Sequence, residues 1–309
     1  MKNTKRLLIK ATTGLLAALV AAPLFAQLPA HLRDYPLTQP KATGDLVAPM
    51  FNGWIKNDDG SVQMIFGFAN RNREEIVDIP LGPNNKLEPA QFDGAQPTHF
   101  PVYRRPGFVG LQERGVFAVT VPAEMAGTEV VWTLNYAGHN YSVPGRATST
   151  AYEMSHGERA LGTLKPAIRF SMGGPESNDV QGLYAPRINT RVGAPITLSA
   201  YVQDRGNRSE YDVKQEYFAL GTEWVMHQGP VGARPQIDQA RITGRERAND
   251  GEGGSSSTNG WTEVTTQATF NEPGDYVIRL RVDNFTAPDS KFDNVCCWSN
   301  GYVPVTVTE

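Results

Sequence analysis

Apolar and polar side chains alternate along several short stretches of this chain, a pattern typical of half-buried β-strands. In the first stretch, Val62, Met64, Phe66 and Phe68 fall on one face of a predicted strand that follows a turn at 57–60. Further apolar runs, separated by Gly, Pro and Asn clusters, cover residues 76–79, 100–103, 116–121 and 130–136. Helical periodicity is nearly absent. Short strands separated by regular turn signals predict a β-sandwich.

A second strand-rich block begins near Leu183 and alternates more sharply. Residues 196–202 form one predicted strand, and an alternation of valines over 303–307 marks the closing one. Between them, the residues Tyr276, Ile278, Leu280 and Val282 alternate with Val277, Arg279, Arg281 and Asp283. We expect the first set to face a hydrophobic core and the second set to face water.

Three pieces of the second block carry a resemblance. Val192-Gly193-Ala194-Pro195 leads into a strand, Phe270 to Val277 contains a Glu-Pro-Gly-Asp-Tyr turn, and a Val-x-Val-x-Val strand closes the chain. Together they resemble a PKD-type or related immunoglobulin-like domain over roughly residues 183–309. The Trp-Asp-Phe-Gly-Asp-Gly signature of typical PKD domains is missing, and Glu223-Trp224-Val225 stands near its place.

The whole chain also resembles bacterial exported proteins, and this resemblance implies no activity. It rests on the Gly-Pro-Asn-Asn loop at 82–85, the Gln-Pro-Thr-His-Phe segment at 96–100 and the Cys-Cys-Trp triplet at 296–298.

The N-terminus has the features of a secretory signal peptide. Four basic residues within Lys2–Lys10 precede an apolar run from Ala11 to Phe25, and Ala26 is a small residue suited to the cleavage position. An N-terminal membrane anchor is the alternative, but the run is shorter than the roughly 20 residues that a membrane-spanning helix needs. We therefore expect a periplasmic or extracellular protein with no membrane span after cleavage.

The chain is long enough for about two domains, with 309 residues. The fold class expected is all-β, with two immunoglobulin-like β-sandwich domains in tandem after the signal peptide. The predicted division is a signal peptide at 1–26, an extended Pro-rich arm at 27–44, a first sandwich at 45–145, a linker at 146–182 and a PKD-like sandwich at 183–309. The linker has room for a short helix over 149–161.

Composition and motifs exclude several function classes. The 40% of hydrophobic residues excludes a disordered chain, and 30 Gly and 22 Pro argue against a helical bundle. A net charge of −3 without a basic stripe argues against nucleic acid as a partner. The histidines are scattered, and the chain has neither a Gly-x-Ser-x-Gly elbow nor a Cys-x-x-Cys pair. No catalytic residue, cofactor or metal ligand is therefore assigned.

Cys296 and Cys297 are the only cysteines of the chain and are adjacent. A disulfide between them would form a rigid knuckle, and an isolated pair in an oxidising compartment favours it. Neighbouring Cα atoms lie about 3.8 Å apart, which is closer than the usual disulfide range. Free thiols, a metal site and interchain pairing remain open alternatives.

Two tryptophans extend the candidate contact region around the cysteine pair. Trp261 follows a Gly/Ser-rich insertion at 243–260, which we expect to be a mobile loop, and Trp298 follows Cys297. Either ring could provide an exposed stacking surface for a sugar or a partner side chain, and the alternative is that both fill the core.

These features favour an exported, non-catalytic binding or structural protein. Its expected partner is an envelope or extracellular protein, or an extracellular polysaccharide. One alternative is a secreted hydrolase whose site lies between the two domains and uses His99 and Asp93. Another is a subunit of a surface assembly that forms homo-oligomers through exposed strand edges.

Overall fold

Strands dominate the part of the chain that the structure, a computed structural model, describes. The described residues are 40–102, 112–154, 164–206, 220–249, 260–284 and 298–309. Their strands are β1 (Val47–Lys56), β2 (Val62–Asn70), β3 (Val77–Asp78), β4 (Asn85–Glu88), β5 (His99–Phe100), β6 (Gln112–Val121), β7 (Val130–Tyr136), β8 (His139–Gly145), β9 (Ala167–Arg169), β10 (Leu183–Tyr184), β11 (Ile188–Arg191), β12 (Ile196–Gln203), β13 (Gly221–Gln228), β14 (Gln236–Ile237), β15 (Arg241–Ile242), β16 (Thr262–Thr269), β17 (Gly274–Asp283) and β18 (Trp298–Thr308). The all-β prediction is confirmed.

Helical structure is scarce in these ranges. One short helix, α1, spans Gly244–Asn249, and single 3-10 turns occur at Ala90–Phe92, Ala123–Met125 and Thr150–Tyr152. The last turn lies at the start of the helix predicted over 149–161, of which residues 155–161 fall outside the described ranges. No helix among the described residues is long and apolar enough to cross a membrane.

Strands β1 to β8 form the N-terminal sandwich. The antiparallel sheet β1-β2-β6 packs against the antiparallel sheet β4-β7-β8, and β3 pairs with β5 beside them. Aromatic rings fill the space between the sheets, with Phe117 and Trp132 in edge contact at a centroid distance of 5.0 Å. The Trp132 indole N–H donates to the side-chain oxygen of the buried Asn85 at 3.0 Å, so the polar end of the ring is satisfied within the core.

Strands β9 to β18 form the C-terminal sandwich. One sheet runs β10-β18-β17-β13-β15, and the other runs β14-β16-β12-β9. Strand β11 lies parallel to the last strand, β18, while β17 lies between β13 and β18 and pairs antiparallel with both. The two sheets enclose a second hydrophobic cluster. This strand order is that of an immunoglobulin-like sandwich.

The Glu-Pro-Gly-Asp-Tyr turn that carried the sequence resemblance leads into β17. The Tyr276 hydroxyl donates to the Glu272 carbonyl at 2.7 Å, four residues upstream. A tyrosine at this corner, bonded back to the preceding turn, is a hallmark of immunoglobulin-like sandwiches, as is a buried tryptophan on the strand corresponding to β13. Trp224 occupies that place and is buried. The C-terminal sandwich is therefore immunoglobulin-like, and the narrower PKD assignment stays a prediction.

A third apolar cluster joins the two sandwiches, and residues 41–309 form one compact unit. Ile55, Ile65 and Ala118 lie on the outer face of the sheet β1-β2-β6 and pack against Val180 and Trp298. This sheet is therefore buried on both faces, which explains why Ile65 stands among the positions that alternate with the core residues of β2.

The expectation that Arg279 and Arg281 face water is wrong. Each is only 2% exposed, because the N-terminal sandwich covers the outer face of β17. Alternation correctly separated the two faces of the strand, but it does not tell which structure lies against the second face.

The first part of the insertion predicted as a mobile loop forms helix α1. Thr243 and Glu246 make a capping box, in which the Glu246 carboxylate accepts from the Thr243 amide at 2.7 Å and the Thr243 hydroxyl accepts from the Glu246 amide at 3.2 Å. Arg247 is buried and donates to the Leu220 carbonyl and the Thr222 hydroxyl, each at 3.0 Å. These bonds fix the helix to β13. Residues 250–259 lie outside the described ranges.

Candidate functional site

The four residues selected from the sequence as binding candidates do not form one described surface. Cys296 and Cys297 lie outside the described residues. Trp298 is 3% exposed, packs in the cluster that joins the sandwiches, and has the Arg281 guanidinium 5.2 Å from its ring centre. In this structure its ring faces protein and not solvent. Trp298 therefore anchors the contact between the two sandwiches.

Trp261 is partly exposed at the start of β16. The Arg169 guanidinium lies 3.8 Å from its ring centre and covers one face in a cation–π contact. A sugar or a partner side chain that binds Trp261 would therefore find one face of its ring already covered by Arg169. The role of Trp261 in binding stays a prediction.

The residues of the hydrolase hypothesis are engaged with different partners. His99 bonds through Nδ1 to the Asp78 carboxylate at 2.7 Å. The Asp93 carboxylate accepts from the Leu87 amide at 2.8 Å and the Gln96 side-chain amide at 2.6 Å, which fixes the turn after β4. The side chains of His99 and Asp93 therefore each stabilise their own local structure through hydrogen bonds.

Asp78 also connects the two sandwiches. Its second carboxylate oxygen accepts from the Arg234 guanidinium at 2.8 Å and from the Gly232 amide at 2.9 Å. Burial alone would raise the pKa of Asp78, but the hydrogen bonds from His99, Arg234 and Gly232 hold it below its ordinary value. The carboxylate is thus kept charged at the edge of the interface.

A buried ion cluster lies at the centre of the same interface. Glu113 on β6 is fully buried, and its carboxylate accepts from the Arg281 guanidinium. The Arg279 guanidinium lies 3.5 Å from the same oxygen and donates to the Val116 carbonyl at 2.9 Å. Charges removed from water need this kind of mutual pairing. Glu113, Arg279 and Arg281 together are called the buried ion cluster below.

Asn300 and Tyr302 on β18 extend the polar contacts across the interface. The Asn300 side-chain amide donates to the Gly115 and Val180 carbonyls, both at 3.0 Å. The Tyr302 hydroxyl donates to the Val116 carbonyl at 3.3 Å, and burial strongly raises the pKa of this phenol. These bonds satisfy the backbone of β6 where it passes against the C-terminal sandwich.

His227 on β13 gives the interface a pH dependence. Its Nε2 lies 2.9 Å from the Ala95 carbonyl, which only accepts, so Nε2 carries the proton of the neutral ring. Burial, together with the nearby Arg279 charge, lowers the pKa of His227 to about 3. Its ring also contacts Tyr302 at a centroid distance of 5.2 Å. The neutral imidazole is therefore the form that this position accommodates.

We expect the free energy of unfolding to fall by about 2 kcal/mol from pH 7 to pH 5 because of His227. Between the unfolded pKa near 6.5 and the folded value near 3, only the unfolded chain binds the proton. Stability is therefore present above pH 6.5 and is lost as the pH falls. Urea unfolding across this pH range measures the effect.

Two histidine variants separate this contribution from general acid sensitivity. His227→Gln retains a donor for the Ala95 carbonyl and should flatten the pH dependence. His139→Gln changes a partly exposed histidine that stacks on Tyr141 and should leave the dependence intact. Equal slopes in His227→Gln and the parent protein would refute the assignment.

A groove of about 290 Å³ opens where the two sandwiches meet. Tyr184 is 57% exposed there and stacks on Tyr302, with ring centroids 4.9 Å apart and ring planes 21° from parallel. Strand β6 provides the opposite wall through residues 117–120. The groove thus combines an exposed aromatic face with a wall formed by a paired strand.

Polar side chains surround this aromatic pair. Thr120 and Gln181 line the groove and bond to each other, which ties β6 to the segment before β10. Gln91 and Asp93 lie on the N-terminal side of the groove. Hydroxyl, amide and carboxylate groups of this kind donate and accept hydrogen bonds to a hydroxylated ligand.

No pattern in the sequence predicts this groove. Tyr184 belongs to a two-residue strand, which is too short for alternation to indicate an exposed face. Tyr302 lies one residue before the valine alternation of the last strand. Among the described residues, no group of three or more His, Cys, Asp or Glu side chains is arranged to hold a metal ion.

Comparisons with known proteins leave the family of this all-β protein open. No family model matches the chain, and no curated protein matches it. Similar solved structures include domains 4 and 5 of the S-layer protein SbsC, with 12% identity and a TM-score of 0.22 over 59% of this chain and 66% of that one. A titin fragment has 11% identity and a TM-score of 0.20 over 85% of this chain and all of that one (100%).

The adhesin InvE of Yersinia pseudotuberculosis is a further similar structure. It has 11% identity and a TM-score of 0.21 over 85% of this chain and 59% of that one. Similarities at this level assign neither a family nor a function. The description of the C-terminal sandwich as immunoglobulin-like rests on its strand order and its tyrosine corner.

Proposed function

We propose that this protein is an exported, non-catalytic polysaccharide-binding protein whose groove between the sandwiches holds the glycan. The observation that carries the proposal is the exposed Tyr184 ring stacked on the buried Tyr302 ring within that groove. The C–H face of a sugar ring is apolar and packs against an aromatic face, while its hydroxyl groups point outward. An aromatic floor with polar walls suits this chemistry.

The polar walls complement the outward hydroxyl groups. Gln91, Thr120 and Gln181 supply amide and hydroxyl groups, and Asp93 supplies a carboxylate acceptor. A few polar groups around an apolar contact fix the orientation of a ligand and give it specificity. The role proposed for these side chains is to bind the glycan without turnover.

The contacts between the sandwiches support a preformed groove. The buried ion cluster, Asn300 and the apolar cluster around Trp298 hold the two sandwiches together beneath the groove. A site that is already formed loses less conformational entropy when its ligand binds. Export is proposed from the leader at 1–26 and matches a ligand outside the cytoplasm.

Tyr184→Ala is expected to lower polysaccharide affinity tenfold or more. Removal of the ring deletes the exposed stacking face, and tenfold corresponds to about 1.4 kcal/mol. The mature chain, residues 27–309, would be tested by co-sedimentation with insoluble cellulose, chitin and peptidoglycan and by affinity electrophoresis in soluble glycans. Mass spectrometry of captured envelope material would run in parallel.

Tyr152→Ala is the matched control. Tyr152 is also exposed and also contacts an aromatic ring, that of Phe51 at 5.6 Å, but it lies outside the groove. It should retain full affinity. Unchanged binding in Tyr184→Ala would refute the groove as the site. Capture of an envelope protein or of a second copy, without retention on any glycan, would overturn the proposal and favour an adaptor or assembly subunit.

A further inference from the structure

The groove between the sandwiches carries a negative charge without a balancing cation. Asp93 is the only residue with a formally charged side chain among the described residues that line the groove. The two tyrosines of the lining stay neutral, because burial raises the pKa of both Tyr184 and Tyr302. Within the described lining, a ligand therefore meets one carboxylate and neither a lysine nor an arginine.

The Asp93 carboxylate has one oxygen left for a ligand. Its Oδ1 atom accepts from the Leu87 amide at 2.8 Å and from the Gln96 side-chain amide at 2.6 Å. Its Oδ2 atom bonds to none of the described residues, and Asp93 as a whole is exposed. Because the two bonds at Oδ1 fix the orientation of the carboxylate, Oδ2 is held in place for a donor from outside the protein.

Neutral side chains of the lining add acceptors and no competing charge. The Gln91 amide nitrogen contacts the Met125 sulfur, and its carbonyl oxygen bonds to none of the described residues. On β6, the Thr120 hydroxyl donates its one proton to Gln181, so it can only accept a further bond. An ammonium group has three N–H donors and no acceptor. These oxygens therefore suit an ammonium group better than they suit an anion.

The Tyr184 ring favours a cation as well as the apolar face of a sugar. The face of an aromatic ring is negative and attracts a cation that lies within about 6 Å of its centre. Tyr184 is 57% exposed although it stacks on Tyr302, so much of its ring is accessible. The groove, of about 290 Å³, is close to the lower limit of about 300 Å³ for ligand sites. A sugar on Tyr184 thus stays within reach of the polar walls.

The net charge of the protein acts in the same direction. The whole chain has a net charge of −3, and the leader at 1–26 contains four basic residues and no acidic one. The mature chain is therefore more acidic than the whole chain. A negative field attracts a polycation and raises its rate of association. A polysaccharide with regularly spaced free amines is such a polycation.

We infer that the groove binds a glycan with free amino groups, and that Asp93 pairs with a protonated amine of the sugar that stacks on Tyr184. This inference rests on the proposed function and names its substrate class. The ligand unit is an amino sugar, such as glucosamine or galactosamine, whose nitrogen is not acetylated. A hydrogen bond between an ammonium and a carboxylate is about twice as strong as one between neutral groups.

Calorimetric titration of the mature chain with matched sugar trimers tests the inference. One series consists of identically linked trimers of glucosamine, N-acetylglucosamine and glucose, and a second series uses the corresponding galactose sugars. The titrations are run at about pH 6, below the pKa near 8 of an α-amino group, which a sugar amine resembles. At least one amino trimer should bind ten times more tightly than its acetylated and hydroxyl counterparts. Raised salt should weaken only the amino binding.

Two variants of the groove sharpen the test. Asp93→Asn retains an acceptor for the Leu87 amide but removes the charge. It should lower affinity for the amino trimer tenfold or more and leave affinity for the other trimers unchanged. Gln91→Glu adds a carboxylate on the same side of the groove and should raise affinity for the amino trimer. The melting temperature of each variant shows that the fold is retained.

Asp275→Asn is the matched control. Asp275 is an exposed carboxylate that pairs with Arg187 and lies outside the described lining of the groove. The substitution changes the net charge of the protein exactly as Asp93→Asn does. Affinity for the amino trimer should stay the same. An equal loss in both variants would show that the overall charge, and not the groove, attracts the amine, and would overturn the inference.

The remaining outcomes separate this inference from the proposed function. Equal binding of amino, acetylated and hydroxyl trimers, lost in Tyr184→Ala, would leave the proposed function standing and overturn the inference. Tighter binding of an acetylated or hydroxyl trimer would do the same, as would a preference for the amine that survives in a folded Asp93→Asn. Absence of binding to every trimer and every polysaccharide would overturn the proposed function and this inference together.

Discussion

Glu113→Gln is expected to lower the free energy of unfolding by about 3 to 5 kcal/mol. The fully buried Glu113 carboxylate pairs with the guanidinium groups of Arg279 and Arg281, which are themselves 2% exposed. Removal of the negative charge takes away the carboxylate that two buried cations share, a loss far greater than the net value of the intact pairs. Urea unfolding, followed by far-ultraviolet circular dichroism, measures the change.

Two comparisons show whether the burial of Glu113 causes this loss of stability. Glu129→Gln removes a carboxylate from an exposed pair with Arg146 and should change stability by at most about 0.5 kcal/mol. The triple variant Glu113→Leu, Arg279→Met, Arg281→Met removes the whole buried ion cluster and should recover most of the stability lost in Glu113→Gln. A loss below about 1 kcal/mol in Glu113→Gln would show that water reaches the cluster.

The buried ion cluster also explains why the sequence led to a wrong expectation for Arg279 and Arg281. The alternation in 276–282 correctly separated Ile278 and Leu280 from Arg279 and Arg281. The assignment of the arginines to solvent assumed that a charged face has no protein neighbour. Their counter-ion lies 166 to 168 positions away in the chain, and single-sequence periodicity contains no information about pairing at that distance.

A weaker signal for the interface was present in β2. On the face opposite Phe66 and Phe68, Ile65 and Gly67 are not the polar residues expected of a solvated strand. Ile65 is fully buried against the C-terminal sandwich, and a Cβ at Gly67 would overlap the Glu113 carbonyl. Apolar and small residues on the supposed outer face therefore indicated a second covered surface.

The candidate sites were harder to predict than the strands. Trp298 was selected for its position beside the cysteine pair, but its size made it useful as an anchor between sandwiches. Tyr184 was not selected, because a site built from separate segments of two sandwiches has no local motif. The turn before Tyr276 could be recognised from the sequence because the residues that form it are close together in the chain.

Gly115→Ala is expected to destabilise the protein by about 2 to 6 kcal/mol through two additive causes. Gly115 has a φ of +58°, a backbone region that non-glycine residues adopt at a cost of about 1 to 3 kcal/mol. A Cβ there would also overlap the indole of Trp298, and such overpacking costs about 1 to 3 kcal/mol more. Thermal and urea unfolding of the variant measure the loss.

The two causes can be separated because another glycine shares only the first. Gly44 has a φ of +67° with no atom within 4 Å of an added Cβ, so Gly44→Ala should show the backbone cost alone. In the double variant Gly115→Ala, Trp298→Phe the smaller ring makes room, and the two changes together should cost less than the sum of the single changes. Additive losses in this cycle would mean that the indole does not limit the space at Gly115, and the packing of Trp298 between the sandwiches would need revision.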